Sequence, residues 1–193
     1  MKKLVLPLLA MALFLAGCGT IRPAETNTAK NQTTNVSTSQ PISKGPLVGK
    51  LAPGFSLQTL NEKSMVSFQQ LLAKKKVVFI NAWASWCYPC QQETPDLIAM
   101  SKKYAGKVEF VGVNMTSDDS VSAAKTFVQK YGISYPVLLD LKGTFAHDYQ
   151  VIGYPTTFVL DPNGTLVNAH IGILSKLQIQ QLINQALSGV ATH

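Results

Sequence analysis

The chain has 193 residues, enough for one domain with extensions and too few for two full domains. Its 46% apolar and 14% charged residues exclude a wholly disordered chain, a collagen and a polytopic membrane protein. Seventeen basic against ten acidic residues give +7, or +5 once Lys2 and Lys3 are set aside with a removable leader; this mild, lysine-based excess, with Arg22 the only arginine, argues against a nucleic-acid partner.

Met1-Lys2-Lys3 is a short positive start, followed by mostly apolar residues from Leu4 to Ala16. As a helix that run is about 20 Å long, short of the roughly 30 Å hydrocarbon core. It therefore reads as a secretion signal and not as a permanent span. The run closes Leu15-Ala16-Gly17-Cys18, which resembles the lipobox of bacterial lipoproteins. The resemblance implies that residues 1–17 are removed and that Cys18 is S-diacylglycerylated, which holds the protein at the extracytoplasmic face of the membrane.

Residues 18–45 read as a tether. From Gly19 to about Pro46 the chain is Thr, Asn, Ser, Gln, Pro and Lys with no aromatic, and cannot bury enough surface to offset its own ordering. A flexible coil of about 28 residues spans on the order of 30 Å. The Asn-x-Ser/Thr triplets at Asn31, Asn35, Asn114 and Asn163 are read as chance matches to a short pattern.

Residues 46–190 form the globular part, in which strand and helix signals alternate. Phe55 to Thr59 and Met65 to Ser67 are expected as short strands around a turn at Asn61-Glu62, with Ser67 capping a helix through Leu72. Val77 to Trp83 is a near-continuous apolar run, as a strand buried on both faces requires. A helix begins at Pro89 and runs to about Tyr104 or Ala105, with Gly106 ending it. Val108 to Val113 is a second buried strand, and Ser117-Asp118-Asp119 offers caps for a helix from about Ser120 to Tyr131, closed by Gly132. A strand over Val137 to Leu139 and a short helix over Gly143 to Tyr149 follow. Thr156 to Leu160 and Leu166 to Ile171 flank the turn Asp161-Pro162-Asn163-Gly164 as a hairpin. Ser175 caps a last helix whose Leu177, Leu182, Ile183, Ala186 and Leu187 recur at helical spacing. The succession implies a mixed sheet with helices on both faces.

Cys87-Tyr88-Pro89-Cys90 lies where a buried strand hands over to a helix. A helix N-terminus stabilises negative charge and lowers the pKa of a thiol placed there, and the thiolate is the nucleophile of disulfide exchange. Spacing of three residues on a first helical turn brings the two sulfurs within bonding reach. Cys87 is expected as the exposed attacker and Cys90 as the shielded residue that resolves the mixed disulfide. A zinc site needs two further ligands, and His147, His170 and His193 show no ligand spacing. A purely structural disulfide closing so short a loop constrains little unfolded-state entropy.

The segment Trp83-Ala84-Ser85-Trp86-Cys87-Tyr88-Pro89-Cys90 resembles the thioredoxin superfamily, and more narrowly the membrane-anchored thiol-disulfide oxidoreductases of the TlpA/ResA type. The likeness runs from about Leu47 to Leu187 and includes Val48-Gly49-Lys50-Leu51-Ala52-Pro53-Gly54-Phe55 and Gly153-Tyr154-Pro155-Thr156-Thr157-Phe158. It implies a thioredoxin-like α/β fold, a central mixed sheet flanked by helices on both faces. It also implies that Pro155 is a cis-proline beside the disulfide, presenting the main chain of Tyr154 to a substrate chain. Trp86 and Tyr88, flanking Cys87, join Tyr154 as expected substrate contacts. Glu93, one turn after Cys90, matches a carboxylate expected half-buried near the thiols, where it raises their pKa and its own and passes protons; the bland alternative is a surface glutamate at a helix N-terminus. Asn81 stands where thioredoxin has a buried aspartate, which leaves Glu93 as the proton handler.

The activity so implied is disulfide exchange; no metal or cofactor is expected, and the protein is expected as a monomer. Its direction is reduction of disulfides in exported proteins, apocytochrome c Cys-x-x-Cys-His segments among them, with electrons from a membrane thiol carrier. Donation of disulfides and a spore-envelope role are alternatives within the same chemistry, and Tyr88 leaves the direction open. A peroxiredoxin has a proline seven residues and a threonine three residues before its reactive cysteine, where this chain has Ile80 and Ala84. A Sco-like copper protein uses a Cys-x-x-x-Cys pair with a distant histidine; His170 is available, but the cysteine spacing is one residue short.

Overall fold

The computed structural model describes residues 46–189. Cys18, the leader, the tether and His193 lie outside the described residues. In chain order the elements are β1 (Ser56–Thr59), β2 (Met65–Ser67), α1 (Phe68–Leu72), β3 (Val77–Trp83), α2 (Tyr88–Lys103), β4 (Val108–Asn114) and α3 (Val121–Tyr131). They continue with β5 (Val137–Leu139), α4 (Thr144–Asp148), β6 (Thr156–Leu160), β7 (Leu166–Ile171) and α5 (Lys176–Leu187). Seven strands form one sheet in the order β2-β1-β5-β4-β3-β6-β7, with β3, β4 and β5 parallel and their neighbours antiparallel.

Side chains alternate across a strand, so β3 serves two cores at once. Val78, Ile80 and Ala82 point to one face and pack with Phe68 and Leu71 of α1 and Phe145 of α4. Val77 and Phe79 point to the other, against Leu97 and Met100 of α2 and Ile179, Ile183 and Ala186 of α5. Trp83, at the end of that second row, packs at a tilt against Phe127 of α3 with ring centroids 4.5 Å apart. Asn81 belongs to the same row, so its amide faces α2 from the middle of the sheet. Its partner in β4 is Gly112, where a Cβ would lie 3.0 Å from the Trp83 indole nitrogen, so a side chain there would push against that ring.

Element ends follow local chemistry. Ser67 and Ser175 close capping boxes with Gln70 and Gln178. Ser120 caps α3, and Gly132 ends it in the left-handed region at φ 67°. Two expectations need correction. Helix α2 stops at Lys103 with Tyr104 as its cap, and Gly106 belongs to the turn beyond. In α5 the buried stripe is Ile179, Ile183 and Ala186 while Leu177 and Leu187 are exposed, because the helix seats one narrow arc and both leucines fall outside it.

The parallel strands all point their C-terminal ends to one edge of the sheet, where the loops after β3 and β4 and the loop before β6 meet. The chain comes into the domain at the opposite edge: Gly49 N–H donates to the Leu166 carbonyl over 2.8 Å, and Leu166 N–H returns a bond to Lys50 over 2.9 Å, at the start of β7.

Candidate active site

Strand β3 ends at Trp83, the chain turns through Ala84 to Trp86, and α2 begins immediately after Cys87. Cys87 is the N-cap of α2: its sulfur accepts the Cys90 N–H at 3.2 Å, a donor the helix itself leaves unpaired. Pro89 occupies the first turn, where a missing N–H costs nothing. Cys87 and Cys90 are joined as a disulfide with Cα atoms 5.3 Å apart. The expectation of an exposed Cys87 needs correction: it is 4% exposed and Cys90 2%, because both cysteines pack into the cluster around Trp83 and Ala84. What stands in solvent is the pair beside Cys87, with Trp86 61% and Tyr88 67% exposed.

Beneath the disulfide lies a polar floor. Glu93, three residues after Cys90 and so on the same helix face, is 1% exposed, deeper than half-buried and far from a surface position. Its Oε2 accepts from Asn81 Nδ2 at 3.0 Å and its Oε1 from the Leu174 N–H at 2.8 Å. Asn81 also donates to the Thr157 hydroxyl at 3.2 Å, tying β3, α2 and β6 together. Burial pushes the Glu93 carboxyl up to about 7, although the bonds from Leu174 and Asn81 pull the other way.

Above the disulfide lies a rim. The Tyr154–Pro155 peptide is cis, and Pro155 is buried at the start of β6. The Tyr154 ring meets Trp86 edge-on, centroids 5.7 Å apart. Its hydroxyl donates to Asp118 Oδ2 at 2.7 Å, and Trp86 Nε1 donates to the Asp118 carbonyl at 3.0 Å. Asp119 braces the cysteine loop: its carboxylate accepts from Ser85 N–H and Ser85 Oγ, both at 2.7 Å, and from Asn114 Nδ2 and Ser120 N–H, both at 2.8 Å. Burial raises its pKa, but these donors outweigh that and hold it below the ordinary carboxylate value.

Sequence reasoning gave Asp118 and Asp119 no part in this site, treating them as candidate caps. The α3 cap is Ser120 alone, which frees both acids to reach the loop in front of Cys87. The signal was available: two acids preceding a better cap, at the end of a strand parallel to the one that delivers the cysteines. His170 sits on β7 opposite Thr157, and among the described residues no three His, Cys, Asp or Glu side chains converge.

A dithiol-disulfide pair at a helix N-terminus, set on a thioredoxin-like sheet with a cis-proline loop tied to its rim, defines a thiol-disulfide oxidoreductase. Residues 48–169 match the AhpC/TSA family, and the chain belongs to it. It is 43% identical over 138 residues to the thioredoxin-like protein YneN of Bacillus subtilis, covering 70% of this chain and 78% of that one. It is 34% identical to the thiol-disulfide oxidoreductase ResA of Bacillus subtilis, over 70% of this chain and 74% of that one. Among solved structures, a putative thiol:disulfide interchange protein DsbE from Chlorobium tepidum superposes with a TM-score of 0.67 at 31% identity, covering 74% of this chain and 99% of that one. The exposed lipoprotein thioredoxin Etrx1 of Streptococcus pneumoniae gives 0.59 at 27% identity, over 69% and 99%. Within the family, Ile80 and Ala84 keep apolar, fully buried side chains where a peroxide-reducing member needs proline and threonine.

Proposed function

We propose that this protein is an extracytoplasmic, lipid-anchored reductant of disulfides in exported proteins, apocytochrome c segments among them, recharged by a membrane thiol carrier. The observation that carries the direction is Glu93. An acid buried one helical turn after Cys90 disfavours thiolates at that helix start and so weakens the reduced state. A weaker dithiol state means a more reducing couple, the converse of an oxidant whose reduced form is stabilised.

The exchange balances as follows. The Cys87 thiolate attacks one sulfur of a substrate disulfide, and the other sulfur leaves as a thiol once protonated. Cys90 gives its proton to the Glu93 carboxylate and attacks the Cys87 sulfur, and the second substrate sulfur leaves as a thiolate that takes that proton, returning Glu93 to its carboxylate. The substrate gains two electrons and two protons, and the protein is left as the Cys87–Cys90 disulfide. The membrane thiol carrier returns both electrons and both protons.

Anchoring rests on Leu15-Ala16-Gly17-Cys18 and on the likeness to an exposed lipoprotein. Among the described residues no helix is long and apolar enough to cross a membrane. The deciding measurement is the midpoint potential of Cys87/Cys90 in thiol buffers. A value near or below about −270 mV supports the reductant, and one near about −120 mV makes the protein a disulfide donor. Fractionation of Cys18→Ser tests the anchor: the variant is expected in the soluble fraction, and retention at the membrane overturns lipid attachment at Cys18.

A further inference from the structure

The substrate chain is expected to pair with the main chain of Tyr154, and the N–H and C=O of that residue bond to no other described residue. A loop residue with an unpaired main chain is held by its neighbours or by its side chain. Its neighbours hold it from one side: Pro155 is buried and its carbonyl accepts the Gly172 N–H at 2.8 Å, whereas Ile152 is exposed and, among the described residues, Gly153 bonds through its carbonyl alone, to the Thr156 hydroxyl at 2.7 Å. Its side chain offers two attachments, the edge of Trp86 and the carboxylate of Asp118. Asp118 in turn accepts the Trp86 indole N–H on its own carbonyl, so one residue of the loop after β4 grips both the cysteine loop and the cis-proline loop.

We infer that Asp118 is a positioning residue for polypeptide substrates: its carboxylate, bonded to the Tyr154 hydroxyl, fixes the Tyr154 main chain beside the disulfide. It touches no reacting atom. A hydrogen bond to an ionised acceptor is among the stronger ones available, and burial together with the Asp118 bond raises the Tyr154 phenol above its ordinary value, so the donor proton is kept. A substrate that pairs with the main chain feels the loss of this bond. A small disulfide, which meets only the sulfurs, feels it far less. The inference rests on the reading that the cis-proline loop receives the substrate chain.

The test uses the full chain, reduced beforehand, in stopped-flow reaction with insulin as the polypeptide disulfide and with dithiobis(nitrobenzoate) as the small one. Asp118→Ala is expected to lower the rate constant toward insulin about tenfold, the loss of one charged hydrogen bond, and the small-disulfide rate by much less. Asp118→Asn keeps an acceptor oxygen and restores most of the insulin rate. Tyr154→Phe reproduces the insulin defect, and the double variant is no worse than either single, since both remove one interaction. An unchanged insulin rate, parallel loss on both substrates, or additive losses in the double variant overturn the inference. A wild-type protein that reacts with dithiobis(nitrobenzoate) but not with insulin defeats the substrate reading itself.

Discussion

The disulfide separates two unlike regions, a buried floor and an exposed rim. The floor is Asn81, Glu93 and Thr157, joined by bonds from three elements and closed to solvent. The rim is Trp86, Tyr88, Tyr154 and Asp118, in which loops are joined by side chains reaching across to one another. A carboxylate in the floor loses hydration and holds its proton up to about pH 7. Asp118 in the rim is exposed and serves as an acceptor. Low dielectric suits the floor to moving protons, and solvent access suits the rim to meeting another chain.

The comparison is broken most completely at the disulfide, where both regions meet. Cys87→Ser is expected to abolish exchange, while Cys90→Ser still attacks and accumulates mixed disulfides on non-reducing gels. The reverse pattern would exchange the two roles.

Next in size is Glu93. Folding favours its protonated form, because its carboxyl is raised from 4.5 to about 7. The associated stability is therefore full below about 4.5 and is lost as pH rises through about 7, by roughly 3 kcal/mol. Glu93→Gln should flatten that slope in denaturant titrations at about pH 5 and about pH 9, and should shift the pH dependence of Cys87 alkylation. Parallel titrations in the two proteins would show that Glu93 does not carry the effect.

A smaller loss is expected from Asp119→Ala, about 2 kcal/mol, because Ser85 N–H and Asn114 Nδ2 lose their acceptor. The sign with pH is opposite to that of Glu93. Its lowered carboxyl stabilises the fold above the ordinary carboxylate value, and that contribution falls away in acid. An equal melting temperature in the variant would mean that the loop before Cys87 is held by packing alone. Smallest of all, Tyr88→Ala should change stability by less than about 0.5 kcal/mol, since the side chain is exposed and among the described residues its hydroxyl bonds only Gln92. A larger fall would place Tyr88 in the folded core of the site.

Much of the floor was legible in the sequence, and little of the rim. Strands β2, β5, β6 and β7 lie where apolar runs and turn residues put them, because local pattern and burial agree there. Glu93 was visible through its spacing from Cys90, since position on one helix is a local property. Asp118 and Asp119 were not, because Ser85 and Asp119 are 34 residues apart in sequence and only the parallel pairing of β3 with β4 brings them together. The burial of Cys87 was hidden for a related reason: its cover comes from Ala124, Phe127 and the end of β5 as well as from its neighbours.

The bonds of Gly49 and Lys50 to Leu166 place the chain's way in at the back of the domain, with the sheet lying between it and the sulfurs. The seven residues of β3 separate the two by about 23 Å. The first described residues and the sulfurs thus sit at opposite ends of the same strand direction, like a handle and a blade. Cys87 and Cys90 face the other way, and a partner docked on the sulfurs need not touch Gly49 or Lys50.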